Sequence, residues 1–154
     1  CAVADAGQVA VATDDPDSVA KVTVYNAAME QLLSWNLTSA EGTPLRMAFA
    51  PDSRRLAVAA VTASGGQLTT NLYTLNLSQG DPVQLAAENS VPQWLGWLSN
   101  DTVLAVYQNR AVLYGADGGE RRWRLDTGDF FILWQREVAA RRERGAQTGE
   151  RCAR

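Results

Sequence analysis

A repeat of about 47 residues constrains this chain more than any other feature of its sequence. Apolar runs begin at Val9, Leu56 and Leu104, which are separated by 47 and 48 residues. Phe49 and Trp97 each precede the run in their repeat by seven residues. The second and third units each contain four short apolar segments and the first contains three, a combination that is typical of propeller blades. The sequence therefore predicts an all-β fold of about three four-stranded antiparallel blades.

The repeat also sets the predicted boundaries. We expect blades over residues 1–40, 44–87 and 92–127 within a β domain that covers residues 1–134. Pro51-Asp52-Ser53 lies between the first two strands of its blade and indicates a tight turn, because Pro presets φ and Asp and Ser bond their own backbone. The first blade has no clear opening strand. Residues 129–134, Asp-Phe-Phe-Ile-Leu-Trp, resemble an opening strand with no blade behind it.

The second strand of each blade is apolar at nearly every position. These strands are predicted at residues 9–13, 56–61 and 103–107. A strand that is apolar on both sides is typical of one that is covered on both faces. We therefore expect all three to lie between stacked sheets.

Three blades leave the ring incomplete, since closed propellers usually contain about four to eight blades. Two uncovered blades would expose apolar faces and strand edges. Strand 129–134 could complete the first blade of another copy, so that a homodimer forms a ring of six blades. Alternatively, the blades could belong to a longer propeller, or the strands could form an open curved sheet or sandwich.

The body of the chain and its tail carry net charges of opposite sign. Residues 1–134 carry 8 basic and 14 acidic side chains, whereas residues 135–154 carry 6 Arg and 3 Glu. An acidic body argues against binding to nucleic acid, which needs clustered positive charge. The tail has helix-forming residues with only a thin apolar stripe. We predict a short basic helix or a disordered tail there, which is a further candidate for tethering to acidic partners.

The chain contains no histidine and two cysteines, Cys1 and Cys152. Histidine-dependent nucleophilic catalysis and histidine-ligated metal are therefore excluded. We expect no metal, cofactor or catalytic residue. A disulfide between the two cysteines remains open, although we favour free thiols. The sequence contains neither a recognisable targeting segment nor an apolar run long enough for a membrane helix, and we interpret Cys1 as a cut point.

Two groups of residues are weak candidates for binding. Asp14, Asp15 and Asp17 cluster in one loop, where turn formation is the simpler explanation because the pattern of a calcium loop is missing. Trp94 and Trp97 lie an odd number of positions apart in one strand, so they should face opposite sides. One of them is therefore a weak candidate for a binding rim, and packing between blades is the simpler explanation.

The segment Phe49-Ala-Pro-Asp-Ser-Arg-Arg-Leu-Ala-Val58 resembles a turn of WD40-like and TolB-like propellers. In those families a hydrophobic residue and Ser/Ala-Pro-Asp-Gly precede Leu-Ala-Val, and Ser53 here stands at the glycine position. The histidine and Trp-Asp signatures of true WD40 blades are missing. Over residues 1–128 the layout is more similar to an uncharacterised bacterial family of propeller-like proteins, usually carried outside the cell behind one N-terminal membrane helix. This resemblance implies an extracytoplasmic location and a membrane anchor outside this chain, with no catalytic residues to carry over.

Two functional hypotheses follow. The first is a non-catalytic binding, sensor or scaffold module that presents loops to a protein, peptide or glycan, as propellers commonly do. The second is a carboxylate-based hydrolase or lyase of the propeller class. Convergent carboxylates of perturbed pKa in a cleft would favour the enzyme, and an apolar or aromatic rim would favour the binding module.

Overall fold

The computed structural model describes residues 1–13, 20–119 and 123–126. The predicted candidates Asp14, Asp15 and Asp17, the predicted strand 129–134 and the predicted tail 135–154 lie outside the described residues. Every regular element of the described part is a β-strand. The strands are β1 (Ala2–Val3), β2 (Val9–Thr13), β3 (Lys21–Tyr25), β4 (Gln31–Asn36), β5 (Thr43–Phe49), β6 (Arg55–Ser64), β7 (Gln67–Asn76), β8 (Pro82–Glu88), β9 (Trp94–Ser99), β10 (Thr102–Val106), β11 (Arg110–Gly115) and β12 (Trp123–Asp126).

The strands form three antiparallel sheets of four, and each sheet takes its strands in chain order: β1–β4, β5–β8 and β9–β12. The prediction of three four-stranded blades is confirmed. The first blade does have an opening strand, because Ala2 and Val3 pair with Ala10 and Val9. The sequence pattern missed β1 since two residues are too few to show an alternation.

The opening strands of the three blades lie close together. β5 contacts both β1 and β9, and β9 also contacts β6. The three sheets therefore converge along their first strands, and their fourth strands lie on the outside, as in successive radial blades.

Each pair of neighbouring blades encloses its own apolar core. The core between the first two blades contains Ala10, Ala20, Val22, Val24, Trp35, Leu37, Leu56, Val58, Ala60, Tyr73 and Leu75. The core between the last two contains Ala50, Ala57, Ala59, Leu72, Leu95, Trp97, Val103, Ala105, Tyr107, Val112, Tyr114 and Ala116.

The central strand β6 contributes to both cores. Leu56, Val58 and Ala60 face the first blade, and Ala57 and Ala59 face the third. All five side chains are buried. Since full burial of a Val or Leu side chain contributes about 1.5–3 kcal/mol, β6 is a main source of stability. The predicted burial on both faces is confirmed for β6.

The same prediction fails for β2 and β10. In β2 the alternate residues Val9 and Val11 are half-buried, and in β10 the same is true of Leu104 and Val106. These strands belong to the first and last of the three described blades. Within the described residues, each has a neighbouring sheet on one side only.

The strand register corrects one predicted equivalence. Leu56 pairs with Phe49, whereas Trp97 pairs with Val103 rather than with Leu104. A register shift follows Thr102 and shortens the hairpin of the third blade by one residue. The second step of the repeat is therefore 47 residues, equal to the first.

Cys1 is disulfide-bonded, and its partner lies outside the described residues. The expectation of free thiols is therefore wrong for Cys1. In the part of the chain that the structure describes, no helix has the length and apolar character needed to cross a membrane.

Candidate functional site

A cleft of about 720 Å³ opens where the connection from the second to the third blade meets a turn of the third blade. The β8–β9 connection supplies Ser90, Val91 and Gln93, the β10–β11 turn supplies Tyr107, Gln108 and Asn109, and β11 supplies its first residue, Arg110. The antiparallel pairing of β9 with β10 brings these two segments together. The backbone N–H of Gln93 donates to the carbonyl oxygen of Val106 at 2.7 Å.

Arg110 is the most strongly held side chain of the cleft. Its Nη2 donates to Glu88 Oε2 at 2.7 Å and to Ser90 Oγ at 3.4 Å. Its guanidinium carbon lies 4.7 Å from the centre of the Tyr107 ring, a cation–π distance. Glu88 belongs to the second blade, so this contact also joins the second blade to the third.

Glu88 has hydrogen bonds on both carboxylate oxygens. Oε2 accepts from Arg110, and Oε1 accepts from the hydroxyl of Tyr114 at 3.0 Å. The side chains of Glu88 and Arg110 are each 24% exposed, so water screens the pair only in part. Their charges balance, and both carboxylate oxygens already have a donor. Glu88 is therefore poorly placed to act as a general base.

Two buried tyrosines contact this ion pair, Tyr107 through Arg110 and Tyr114 through Glu88. Burial is the main cause that raises the pKa of Tyr107 and of Tyr114 above the ordinary value of 10.0, and the Glu88 carboxylate raises both further. Each also affects the other: Tyr114 lowers the pKa of Tyr107, and Tyr107 raises that of Tyr114. Both hydroxyls are neutral at ordinary pH, so the cleft carries no net charge from its tyrosines.

The rim is made of exposed carboxamides. Gln93, Gln108 and Asn109 are all exposed, and each presents one acceptor oxygen and two donor hydrogens. The rim is polar, rather than apolar or aromatic as the binding hypothesis had expected. The convergent carboxylates expected of the enzyme are not found among the described lining residues. The described residues also contain no group of three or more side chains that could hold a metal ion.

The two predicted tryptophans lie on opposite sides of β9. Trp97 is 3% exposed in the core between the second and third blades, so packing accounts for it. Trp94 is half-buried on the other side, and its indole lies over Gly96. Trp94 follows the cleft residue Gln93 in the chain but does not belong to the described lining.

The residues that build the cleft were not predicted from the sequence. Glu88 and Arg110 are 22 positions apart, and no motif connects them. One available signal was the polar run Gln108-Asn109-Arg110 between two apolar strands, since polar loop residues on a rigid scaffold often carry function.

Solved structures of propeller proteins are similar to this chain in fold. KlAtg21, in a complex with the coiled-coil of AgAtg16, matches with a TM-score of 0.58 and 10% identity over 81% of this chain and 42% of its own. The β-propeller domain of the Trilobed protease from Pyrococcus furiosus matches with a TM-score of 0.58 and 7% identity over 82% and 42%. The acylaminoacyl peptidase of Pyrococcus horikoshii gives 0.55 and 7% over 82% and 24%. At these identities the likeness shows the propeller fold alone.

The chain spans less than half the length of each of these three structures. No curated protein matches its sequence. One family model does, and it is described only as a family of unknown function. Because this model matches residues 1–122, the chain belongs to the family DUF5711.

Proposed function

We propose that this chain is a non-catalytic binding module whose cleft between the second and third blades takes an extended segment of a partner protein. The observation that carries the proposal is the fixed guanidinium of Arg110 in a cleft with a carboxamide rim. A side chain that is already held in place loses little further freedom when a ligand binds.

The chemistry of the rim favours a peptide. An extended main chain alternates N–H donors with C=O acceptors, and each carboxamide offers both complements. Gln93 and Gln108 are exposed and come from the two segments that border the cleft. A main chain that lies between them could therefore form hydrogen bonds on both sides.

A glycan is less well supported by the lining. A sugar ring would need an exposed aromatic face on which to stack. Tyr107 is the aromatic residue among the described lining residues, and it is 3% exposed with Arg110 over its ring. The ion pair between Arg110 and Glu88 also leaves the cleft without a net charge that would select a charged ligand.

Two further observations support this proposal. KlAtg21 shares the fold and was solved with a coiled-coil partner, an analogy that concerns fold only. Cys1 is disulfide-bonded, and disulfides persist in oxidising compartments. We therefore extend the proposal to an extracytoplasmic binding, sensor or scaffold role. The resemblance over residues 1–128 is the basis on which we propose a bacterial protein with its membrane anchor outside this chain.

Selection from a phage-displayed library of random dodecapeptides would test the function. We expect the immobilised chain to enrich peptides that calorimetry then shows to bind in solution. Gln108→Ala should weaken their binding by about three- to tenfold, the loss of one or two hydrogen bonds. Gln79→Ala is the matched control, since Gln79 is also an exposed turn glutamine but lies at the opposite end of the blades.

Several outcomes would contradict the proposal. If no peptide is enriched, or if Gln108→Ala and Gln79→Ala bind the enriched peptides equally well, the cleft is not the binding site. Mass spectrometry of the peptides after incubation would test the non-catalytic role. Any cleavage that depends on the protein would overturn it.

A further inference from the structure

The planar guanidinium of Arg110 is covered by its neighbours only in part. The Tyr107 ring lies on one side of it, with the ring centre 4.7 Å from the guanidinium carbon. Nη2 donates to Glu88 and to Ser90. The side chain is nevertheless 24% exposed. Because the Tyr107 ring occupies one side, this exposed part lies on the remaining sides, and Arg110 presents it to the cleft that it lines.

The same guanidinium has donors that the described part of the chain does not use. Both of its hydrogen bonds to described residues come from Nη2, so Nε and Nη1 make none there. The five N–H donors of an arginine lie in one plane, and a ring that stacks on this plane leaves them accessible. Arg110 can therefore offer a flat surface and several N–H donors to the same ligand.

The surroundings of Arg110 favour a neutral and apolar ligand group beside it. Glu88 balances its charge at 2.7 Å, and the carboxamide rim adds no charge. Val91, which is half-buried in the β8–β9 connection, adds an apolar contact to the lining. An aromatic ring suits this combination best, because its face attracts a cation and matches the shape of a planar one.

We propose that an aromatic side chain of the bound peptide, tryptophan above all, stacks on the side of the Arg110 guanidinium opposite Tyr107. This inference rests on the proposed function and names the class of residue that anchors the peptide. The cleft of about 720 Å³ lies within the range of about 300–1,000 Å³ that is usual for ligand pockets. Tryptophan forms the strongest cation–π contact of the aromatic side chains.

The main chain of the same peptide residue has a partner as well. Its carbonyl oxygen could accept a hydrogen bond from Nε or Nη1 of Arg110. An aliphatic side chain of similar size would bury comparable apolar surface without the attraction to the cation. We therefore expect the cleft to prefer an aromatic over an aliphatic side chain by about two- to tenfold in affinity.

Two small probes test this preference, N-acetyl-tryptophan amide and N-acetyl-leucine amide. Titration of the isotope-labelled chain would be followed by NMR at the side-chain Nε–H of Arg110 and at the backbone amides of Gln108 and Asn109. We expect saturable shifts at all three with the tryptophan probe, and a dissociation constant about two- to tenfold lower than for the leucine probe. Equal affinities, or no shift at Arg110 with either probe, would overturn the inference.

Arg110→Lys separates the planar group from its charge. Lysine keeps the positive charge opposite Glu88 but has no plane on which a ring can stack, so the variant should bind both probes equally. Arg54→Lys is the matched control and should keep the preference. Arg54 is exposed in the β5–β6 turn, where its neighbour Asp52 bonds to Asn100 in the β9–β10 turn, at the other end of β10. A preference for tryptophan that survives in Arg110→Lys would contradict the inference, and if this variant does not fold, the titration of the unsubstituted chain decides alone.

The peptides selected from the random library distinguish this inference from the proposed function. We expect them to share an aromatic residue at a fixed position. If they bind, weaken with Gln108→Ala and share no aromatic residue, the proposed function stands and this inference is overturned. If the tryptophan probe binds at Arg110 and no peptide is enriched, the aromatic site stands and the proposed function fails.

Discussion

The indole Nε1 of Trp97 donates a hydrogen bond of 2.8 Å to the carbonyl oxygen of Ala48. Ala48 lies on β5, the first strand of the second sheet, which has a partner strand on one side only. The bond therefore joins the third blade directly to the backbone of the second. Trp97 thus contributes to the packing of the third blade against the second.

We expect Trp97→Phe to lower the free energy of unfolding by about 2 kcal/mol, because it removes buried volume and the hydrogen bond to the carbonyl of Ala48. Trp35→Phe is the matched control. Trp35 is also buried and packs edge-on against Tyr73 at 5.2 Å, but its indole makes no hydrogen bond within the described part of the chain. Urea denaturation should show a smaller loss for Trp35→Phe, by about 1 kcal/mol. Equal losses would mean that the Trp97 hydrogen bond contributes nothing.

A strained turn in the first blade gives the second prediction. Met29 has φ 63°, and the corresponding turns of the other two blades contain glycines with positive φ, Gly80 at 81° and Gly118 at 82°. Since Met29 is 65% exposed, its side chain contributes little by burial. We expect Met29→Gly to raise the free energy of unfolding by about 1 kcal/mol, because glycine adopts this conformation without a steric cost. Met29→Ala keeps the Cβ atom and should bring no gain, and thermal unfolding of both variants would separate the two effects.

The third prediction concerns the ion pair at the cleft. A double-mutant cycle on Glu88 and Arg110 should give a coupling of about 0.5–1 kcal/mol that weakens in high salt. The pair of Arg55 and Asp101 is the control, at 3.2 Å with the Asp101 side chain 80% exposed. We expect its coupling to be close to zero. If chemical denaturation gives the two pairs the same coupling, Arg110 is not held more firmly than a surface arginine.

Much of the fold could be predicted because the pattern of buried residues repeats at a constant spacing along the sequence. The continuous apolar run of β6 and the fixed spacing between Leu56 and its equivalents reflect sheets stacked on both sides. The resemblance placed Ser53 at a glycine position, and the structure gives it φ 59°, which is the conformation that favours glycine. Local sequence carries these features because each depends on neighbouring residues or on a constant offset.

The features that were missed depend on geometry that no local pattern records. β1 is fixed by its pairing with Val9 and Ala10 rather than by its own two residues. The sequence spacing equates Leu104 with Leu56, whereas one register shift makes Val103 the equivalent of Leu56. The cleft forms because blade packing brings Glu88 beside Arg110. Neither residue could be predicted from the presence of the other in the sequence. Such long-range contacts have to be seen in three dimensions.

The last prediction concerns alkaline pH. The pKa values of Tyr73, Tyr107 and Tyr114 are all raised above 10.0, chiefly by burial. The folded state therefore keeps protons that the unfolded state releases. Stability from these groups is complete below the unfolded pKa of about 10 and falls as pH rises beyond it. These tyrosines should leave the urea midpoint unchanged near neutral pH and should lower it above about pH 10.

Tyr107→Phe tests this account at a single residue. The Tyr107 hydroxyl is buried and makes no hydrogen bond with a described residue, although it lies near enough to Tyr114 to affect the pKa of that group. Removing an unsatisfied buried hydroxyl should raise the free energy of unfolding by about 1 kcal/mol at neutral pH. It should also make the alkaline decline shallower, because one fewer group then releases a proton on unfolding. If Tyr107→Phe is instead less stable at neutral pH with an unchanged alkaline slope, the hydroxyl has a partner in solution and its burial does not cause the decline.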